Sequence, residues 1–323
     1  MTPAGRLLAD EIARTGPIPF HRFMEVALYH PEHGYYRRGR DPFGKRGDYF
    51  TAEQLQPVFG ALIATRVHWL WQELGCPGDF VVVELGAGRG EMAEAFSAFR
   101  YIPVECGGGW PERFCGVVFA NEFFDALPVD VAVFRDGGFQ ELRVDFRNGS
   151  FVWVEGQPLG GEAAAYVRRY ASAAGEGTRV EIPLEALRWI EEIARRLERG
   201  FLFVLDYGYT SRELARFPEG TLLSYRRHCA LPDVLADPGE RDITAHVCFT
   251  ALEDHAARNG FERVAFESLA QTLLAAGRRD EFASVLAAAT PAESLWRRLQ
   301  LKTLLFGMGE SYRALLLRKR SVQ

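Results

Sequence analysis

Cysteine is scarce and unpatterned in this chain. Cys76, Cys106, Cys115, Cys229 and Cys248 are an odd number, scattered, with no C-x-x-C step. That pattern excludes a disulfide framework and a thiolate zinc site, and it predicts reduced thiols in a cytoplasmic protein. Positive charge is not in excess either, since 38 Lys and Arg stand against 43 Asp and Glu, and no basic block is interleaved with aromatics. Without such a field nucleic acid is not an expected partner. Long hydrophobic runs are missing too: stretches such as Phe201 to Leu205 fall far short of the roughly 20 residues that span a bilayer, so no membrane span is expected. The segment Met1 to Gly16 has no apolar core of signal-peptide length, and its Asp10 and Glu11 sit poorly with an acid-poor transit peptide, so no leader is expected. Neither repeats nor low-complexity tracts are seen.

What is present is an ordinary globular composition of 48% hydrophobic residues over 323 positions, enough for one generous core with an accessory layer. Pro17 to Asp48 is rich in Pro, Gly, Tyr and His and reads as a turn-rich N-terminal cap. Val58 to Leu74 carries apolar residues at helical spacing and stops at Gly75 and Pro77. From Asp79 onward, short and nearly continuous apolar runs alternate with helical patterns, as buried parallel strands of an α/β fold do. The runs predict strands at Phe80 to Glu84, Tyr101 to Glu105, Gly116 to Asn121, Phe201 to Asp206, Phe261 to Glu267 and Tyr312 to Leu317. Helices are expected at Glu162 to Ala171, Leu184 to Glu198, Leu252 to Arg258 and Ala292 to Leu304. Val131 to Val154 alternates instead, and Asp136-Gly137-Gly138 and Asn148-Gly149 signal two hairpins. The expected organisation is a cap and helix over 1–75, then a core over 76–323 with insertions at about 131–175, 209–250 and 270–308.

The sharpest local signal is Val81-Val82-Val83-Glu84-Leu85-Gly86-Ala87-Gly88-Arg89-Gly90, an apolar strand ending in an acid, followed by alternating glycines and an expected helix. Glycines there let the backbone approach a ligand closely, and a helix N-terminus beyond them would suit a carboxylate or phosphate. A dinucleotide fingerprint needs glycine at the third place of G-x-G-x-x-G, which is Glu91 here, so hydride chemistry is disfavoured. The form resembles the first motif of class I methyltransferases, whose donor is S-adenosyl-L-methionine. Glu84, Gly86, Gly88 and Gly90 are then candidate cofactor residues, and Glu105, closing the next strand, is placed to accept both ribose hydroxyls.

Asn121-Glu122-Phe123-Phe124-Asp125 follows an apolar strand directly and falls where ligands bind in open α/β sheets. Methyl transfer is an in-line displacement, and a guanidinium acceptor, with a pKa above roughly 12, needs carboxylates to orient it and localise its charge. Glu122 and Asp125 are candidates for that pair, and Asn121 for orienting a backbone or cofactor group.

Further strings extend the likeness: Phe23-Met24; Leu28-Tyr29-x-Pro31-x-x-Gly34-Tyr35-Tyr36; Gly47-Asp48-Tyr49-Phe50-Thr51; Glu84 to Gly90; Asn121 to Val129; Asp206-Tyr207-Gly208; Pro238-Gly239-x-x-Asp242-Ile243-Thr244-Ala245-His246-Val247; and Met308-Gly309-Glu310. Taken in order they resemble the MidA family, which includes the mitochondrial arginine methyltransferase that assists complex I assembly. The resemblance implies a seven-stranded, mostly parallel, Rossmann-like methyltransferase sheet with inserted hairpins and helices, S-adenosyl-L-methionine as cofactor, and a protein arginine as substrate. It further implies that Gly47, Asp48 and Thr51 lie on the cofactor side, that Asp242 and Thr244 line the substrate side, and that His246 joins the catalytic candidates. No metal is implied, since His30 and His33 stand in a turn without further ligands. Three departures stand out. Ala52-Glu53-Gln54 replaces a Pro-Glu step, so no acidic contact is carried over from that loop. The stretch from Glu105 to Gly116 is too short for the usual helix and strand. Cys248 stands where the family tends to carry Asp. The residues leave open a methyltransferase for a small molecule or another side chain, and an assembly protein that keeps the cofactor fold without turnover.

Overall fold

The computed structural model describes residues 1–37, 52–105, 108–226, 229–288, 290–309 and 312–320. The chain forms two compact units interleaved in sequence. A sheet unit comprises Thr51–Phe124, Trp189–Gly208 and Leu252–Gln323, and a hairpin unit comprises Met1–Phe50, Asp125–Arg188 and Tyr209–Ala251. No helix among the described residues is long and apolar enough to cross a membrane.

In the sheet unit six strands follow one another in the order Phe261–Ser268, Tyr312–Lys319, Leu197–Tyr209, Phe114–Asn121, Val81–Leu85 and Arg100–Val104. All run parallel except Tyr312–Lys319, which is antiparallel to both neighbours. The fold is thus α/β, as expected, and its sheet is mixed, with one antiparallel strand among parallel ones. The residues between Val104 and Phe114 are too few to hold a further helix and strand beyond Arg100–Val104. Arg100–Val104 consequently borders the sheet. The short connection lies against aromatic side chains instead. Trp110 packs 6.0 Å from Trp189 and under the Arg196 guanidinium, which donates to the carbonyls of Trp110 and Pro111 at 3.1 Å.

Val81–Leu85 is buried along its whole length, as a β-branched run covered on both faces should be. Helix Val58–Glu73 buries Phe59, Leu62, Ile63, Val67 and Leu70 in the same core as Phe96, Phe119, Phe201 and Phe203. The helix expected after the glycines is absent. Residues 88–98 turn repeatedly, with N–H groups reaching back mostly three residues, as in Gly90 to Ala87 at 2.7 Å and Ala93 to Gly90 at 3.0 Å. Left-handed backbone at Gly88 and Gly90 is incompatible with a right-handed first turn. Anion binding by a helix end therefore does not apply here.

In the hairpin unit Ile18–Pro19, Gly138–Arg147, Asp130–Arg135 and Arg179–Ile182 pair antiparallel in that order, and Ser150–Pro158 pairs with Gly138–Arg147. Both hairpin signals are realised: Asp136-Gly137 and Asn148-Gly149 have positive φ at both residues, as two-residue turns of this twist require. A separate sheet joins Cys229–Leu231, Leu223–Arg226 and Asp242–Thr244. Within the segment read as turn-rich, Phe20–Tyr29 is a helix, and Phe20, Phe23, Met24, Ala27 and Leu28 form its buried stripe. Pro3–Thr15 is also a helix, capped by the Thr2 hydroxyl on the Gly5 N–H at 2.9 Å.

Candidate active site

Gly86, Gly88 and Gly90 have φ of 68°, 55° and 74°, so the loop after Val81–Leu85 is built from three left-handed residues. A Cβ on Gly86 would lie 2.9 Å from the Phe123 ring, whereas one on Gly90 would meet nothing within 4 Å. The Gly86 N–H donates to the Val104 carbonyl at 2.8 Å, and the Gly88 N–H to Oε1 of Glu105 at 2.8 Å. The loop and the exposed carboxylate of Glu105 are thus brought together, with one oxygen of Glu105 already engaged.

Glu84, only 1% exposed, accepts the Tyr101 hydroxyl on Oε2, while its Oε1 has no hydrogen-bond partner. Burial pushes its carboxyl up to about 7, against the lowering effect of bonds from Tyr101 and Glu53. Glu53, on the short 3-10 turn Ala52–Gln54 and 7% exposed, hydrogen-bonds to Glu84. Burial, then Glu84 and Glu122, hold it well above the usual carboxylate range. In the sequence Glu53 stands only within a departure from the family pattern, from which no acidic contact is carried over, and no local signal reveals a partner so far along the chain.

At the end of Phe114–Asn121, Asn121 is 5% exposed. Its Nδ2 donates to Oε1 of Glu122 at 3.3 Å, and its Oδ1 is buried with no partner. Glu122 has φ 50°, a costly conformation for a residue with a side chain. Its N–H donates to the Leu205 carbonyl at 2.9 Å, and its Oε1 also accepts the Ala52 N–H at 3.3 Å. The fully buried Asp206 accepts the Phe124 N–H at 3.0 Å and the Tyr207 N–H at 2.8 Å, tying the turn after Glu122 to the next strand. This tether was not read from the sequence. The Tyr312 phenol is pushed up by burial and then by Glu122 and Tyr207.

The remaining candidates lie in the hairpin unit. The carbonyl of buried Asp125 accepts the Ala245 N–H at 2.9 Å, which brings Asp125 to the segment carrying Asp242, Thr244 and His246. Tyr29 donates to the Ala126 carbonyl at 2.8 Å, and Tyr36 to Oδ1 of the buried Asp242 at 2.7 Å. Thr244 faces Leu223 across the small sheet. The His246 N–H donates to the Thr221 hydroxyl oxygen at 2.9 Å, its ring meets Phe217 edge-on, and burial lowers its pKa. Cys248 is buried, with Tyr166 and Tyr209 beside it. Gly47, Asp48 and Thr51 lie outside the described residues. His30 and His33 stack at 5.2 Å, and the His30 Nδ1 accepts the N–H groups of Glu32 and His33, so the pair is held as a turn. Among the described residues no group of His, Cys, Asp and Glu could hold a metal ion.

A left-handed glycine loop beside an exposed carboxylate, with an unspent amide oxygen on the neighbouring strand, fits a nucleoside joined to an amino acid. Fold and site together define an S-adenosyl-L-methionine-dependent methyltransferase. The family model of S-adenosyl-L-methionine-dependent methyltransferases matches residues 107–266. A Burkholderia thailandensis protein bound to S-adenosyl-homocysteine is similar at TM-score 0.88 and 30% identity, over 99% of this chain and 92% of that one. Two curated relatives are 28% identical to this chain. One is the Drosophila melanogaster protein arginine methyltransferase NDUFAF7 homolog, mitochondrial, matched over 78% of this chain and 70% of its own length. The other is the Homo sapiens protein arginine methyltransferase NDUFAF7, mitochondrial, matched over 78% and 68%. The chain belongs to this MidA-like methyltransferase family.

Proposed function

We propose that this protein transfers a methyl group from S-adenosyl-L-methionine to an arginine side chain of a protein. The observation that carries the reading is Glu122, a carboxylate held at φ 50° directly after the strand next to the glycine loop, with the Ala52 N–H and the Asn121 amide on one oxygen. Such strain is retained where a side chain must point in a particular direction. The donor, when bound, supplies a methyl group on a positively charged sulfur. Gly86, Gly88 and Gly90 admit its amino-acid end, Glu105 takes the ribose hydroxyls, and Asn121 offers its buried Oδ1. Gly47, Asp48 and Thr51 are assigned to the same cofactor.

A guanidinium arrives protonated and charge-delocalised, so the acceptor needs anionic groups to fix it and draw its charge to one nitrogen. We assign that work to Glu122 and Asp125, substrate contacts to Asp242 and Thr244, and proton acceptance to His246, whose lowered pKa favours a neutral imidazole at pH 7. The names of the curated relatives support arginine as the acceptor. Cys248, in place of an acid, favours a second reading in which the acceptor is a different side chain or a small molecule. Labelled methyl transfer into a cell extract, followed by mass spectrometry of the product, decides between them. Glu122→Gln is expected to bind the donor normally and lose labelling by about a hundredfold or more. Wild-type labelling by that variant would remove Glu122 from the chemistry.

A further inference from the structure

We propose that the outer face of the helical stretch Pro291–Met308 docks onto a lipid bilayer bearing anionic headgroups, with Trp296, Leu299 and Phe306 entering the interface and Arg298 and Lys302 at their margin. The inference stands apart from the methyl-transfer reading and concerns where the protein works.

Pro291–Lys302 starts on a Thr290 cap, whose hydroxyl accepts the Glu293 N–H at 3.2 Å, and runs on without a break into a π segment, Thr303–Met308. One side of this stretch is committed to the core. Leu304 is fully buried, Leu301 and Leu305 pack against the same cluster, and Gln300 donates to the Gln56 carbonyl at 2.6 Å. At about 100° per residue the opposite side carries Leu295, Leu299, Lys302 and Phe306 in line, with Trp296 on one flank and Arg298 on the other. Trp296 is 57% exposed and Phe306 77%. A helix apolar on both sides is ordinarily covered on both. Half of the large hydrophobic side chains exposed among the described residues fall between Leu295 and Phe306, and apolar exposure gathered in this way marks an interaction surface.

The charges choose the occupant. From Ser294 to Gly309 the charged residues are Arg297, Arg298 and Lys302, with no acid among them, in a chain of net charge -5. Arg297 is spent on Glu293 and on the Ala287 carbonyl, while Arg298 and Lys302 are exposed and make no ion pair among the described residues. A symmetric contact with a second copy would bring these cations near their own counterparts, with no acid on the face to answer them. A soluble polyanion would satisfy Arg298 and Lys302 but leave Leu295, Leu299 and Phe306 in water. The boundary between acyl chains and anionic headgroups answers both needs, because apolar and aromatic side chains enter it while long cationic ones reach the phosphates. Phe306 stands out from a π segment, a form that recurs at functional sites.

Flotation of the full chain with lipid vesicles tests the face. At low salt the protein should float with phosphatidylcholine vesicles containing about 30% phosphatidylglycerol and bind pure phosphatidylcholine about tenfold less. Added salt should weaken the binding. The double substitution Leu299→Ser, Phe306→Ser should lower partitioning by about tenfold or more, since it removes apolar area that only docking would bury. Arg298→Gln with Lys302→Gln should lower it by about tenfold and flatten the salt dependence. All four side chains are exposed, so the unfolding midpoint should stay at the wild-type value in both variants, which separates lost docking from lost folding. Absence of flotation with the anionic vesicles, or undiminished flotation of the Leu299→Ser, Phe306→Ser protein, overturns the proposal. So does a dimer that sediments without lipid and is dissolved by the same substitutions, which would give the face to a second copy. Complete displacement from the vesicles by polyglutamate would give it to an acidic protein and overturn the lipid assignment as well.

Discussion

Glu84 in the sheet unit and Glu181 in the hairpin unit are buried almost equally, yet they are held in opposite ways. Both oxygens of Glu181 are spent, one on the Thr221 N–H at 2.9 Å and one on the Thr221 hydroxyl at 3.0 Å. Glu84 has the Tyr101 hydroxyl on one oxygen, while the other accepts no backbone N–H or hydroxyl and Glu84 has a second buried acid, Glu53, beside it. Burial raises the proton affinity of both. The difference teaches that depth alone does not mark a functional acid. A carboxyl with every acceptor used holds the fold together, whereas one left incomplete in the interior carries a cost that a ligand can remove.

The contrast can be broken first through pH. The Glu84 carboxyl lies at about 7 in the folded protein against an ordinary 4.5, so the folded state binds more protons than the unfolded state between those values. Stability of the free protein should therefore be greatest below about 4.5 as far as this group is concerned, and be lost as pH rises towards 7. The loss is roughly 3 kcal/mol at most, by the worth of each pKa unit. Glu84→Gln should flatten that slope in denaturant titrations, and an unchanged slope would mean that Glu84 is not the group responsible. Next in size, Gly86→Ala adds a Cβ 2.9 Å from Phe123 at a left-handed position, and donor affinity should fall by about a hundredfold in calorimetry. The smallest effect is expected at the other acid. Glu181→Leu strands the two Thr221 donors and should cost about 2 kcal/mol in the unfolding midpoint while leaving donor affinity untouched. A change in donor affinity there would erase the distinction between the two carboxyls.

The buried strands were legible because Val81-Val82-Val83 and Phe201 to Leu205 are continuous apolar runs, and the hairpins because Asp-Gly and Asn-Gly specify their turns locally. The glycine loop was legible in the same way, although the helix expected behind it is not formed. Phe20–Tyr29 was hidden by the turn residues that follow it, even though its apolar spacing is helical. Glu53 and Asp206 were not legible as site residues. Their partners, Glu84 and the Phe124 N–H, lie far away in sequence, and no local pattern encodes such a meeting. Asp125, Asp242 and His246 could be named from motifs, but the bond from Ala245 to Asp125 needed the fold.

The shortened connection after Glu105 has a consequence for solubility. It leaves Arg100–Val104 as the margin of the sheet, a place where another polypeptide could zip on through its main chain and seed aggregation. Pro103 sits within that margin, and an imino nitrogen offers no hydrogen to an incoming backbone. The same strand that forgoes a neighbour thereby carries its own safeguard against acquiring a foreign one.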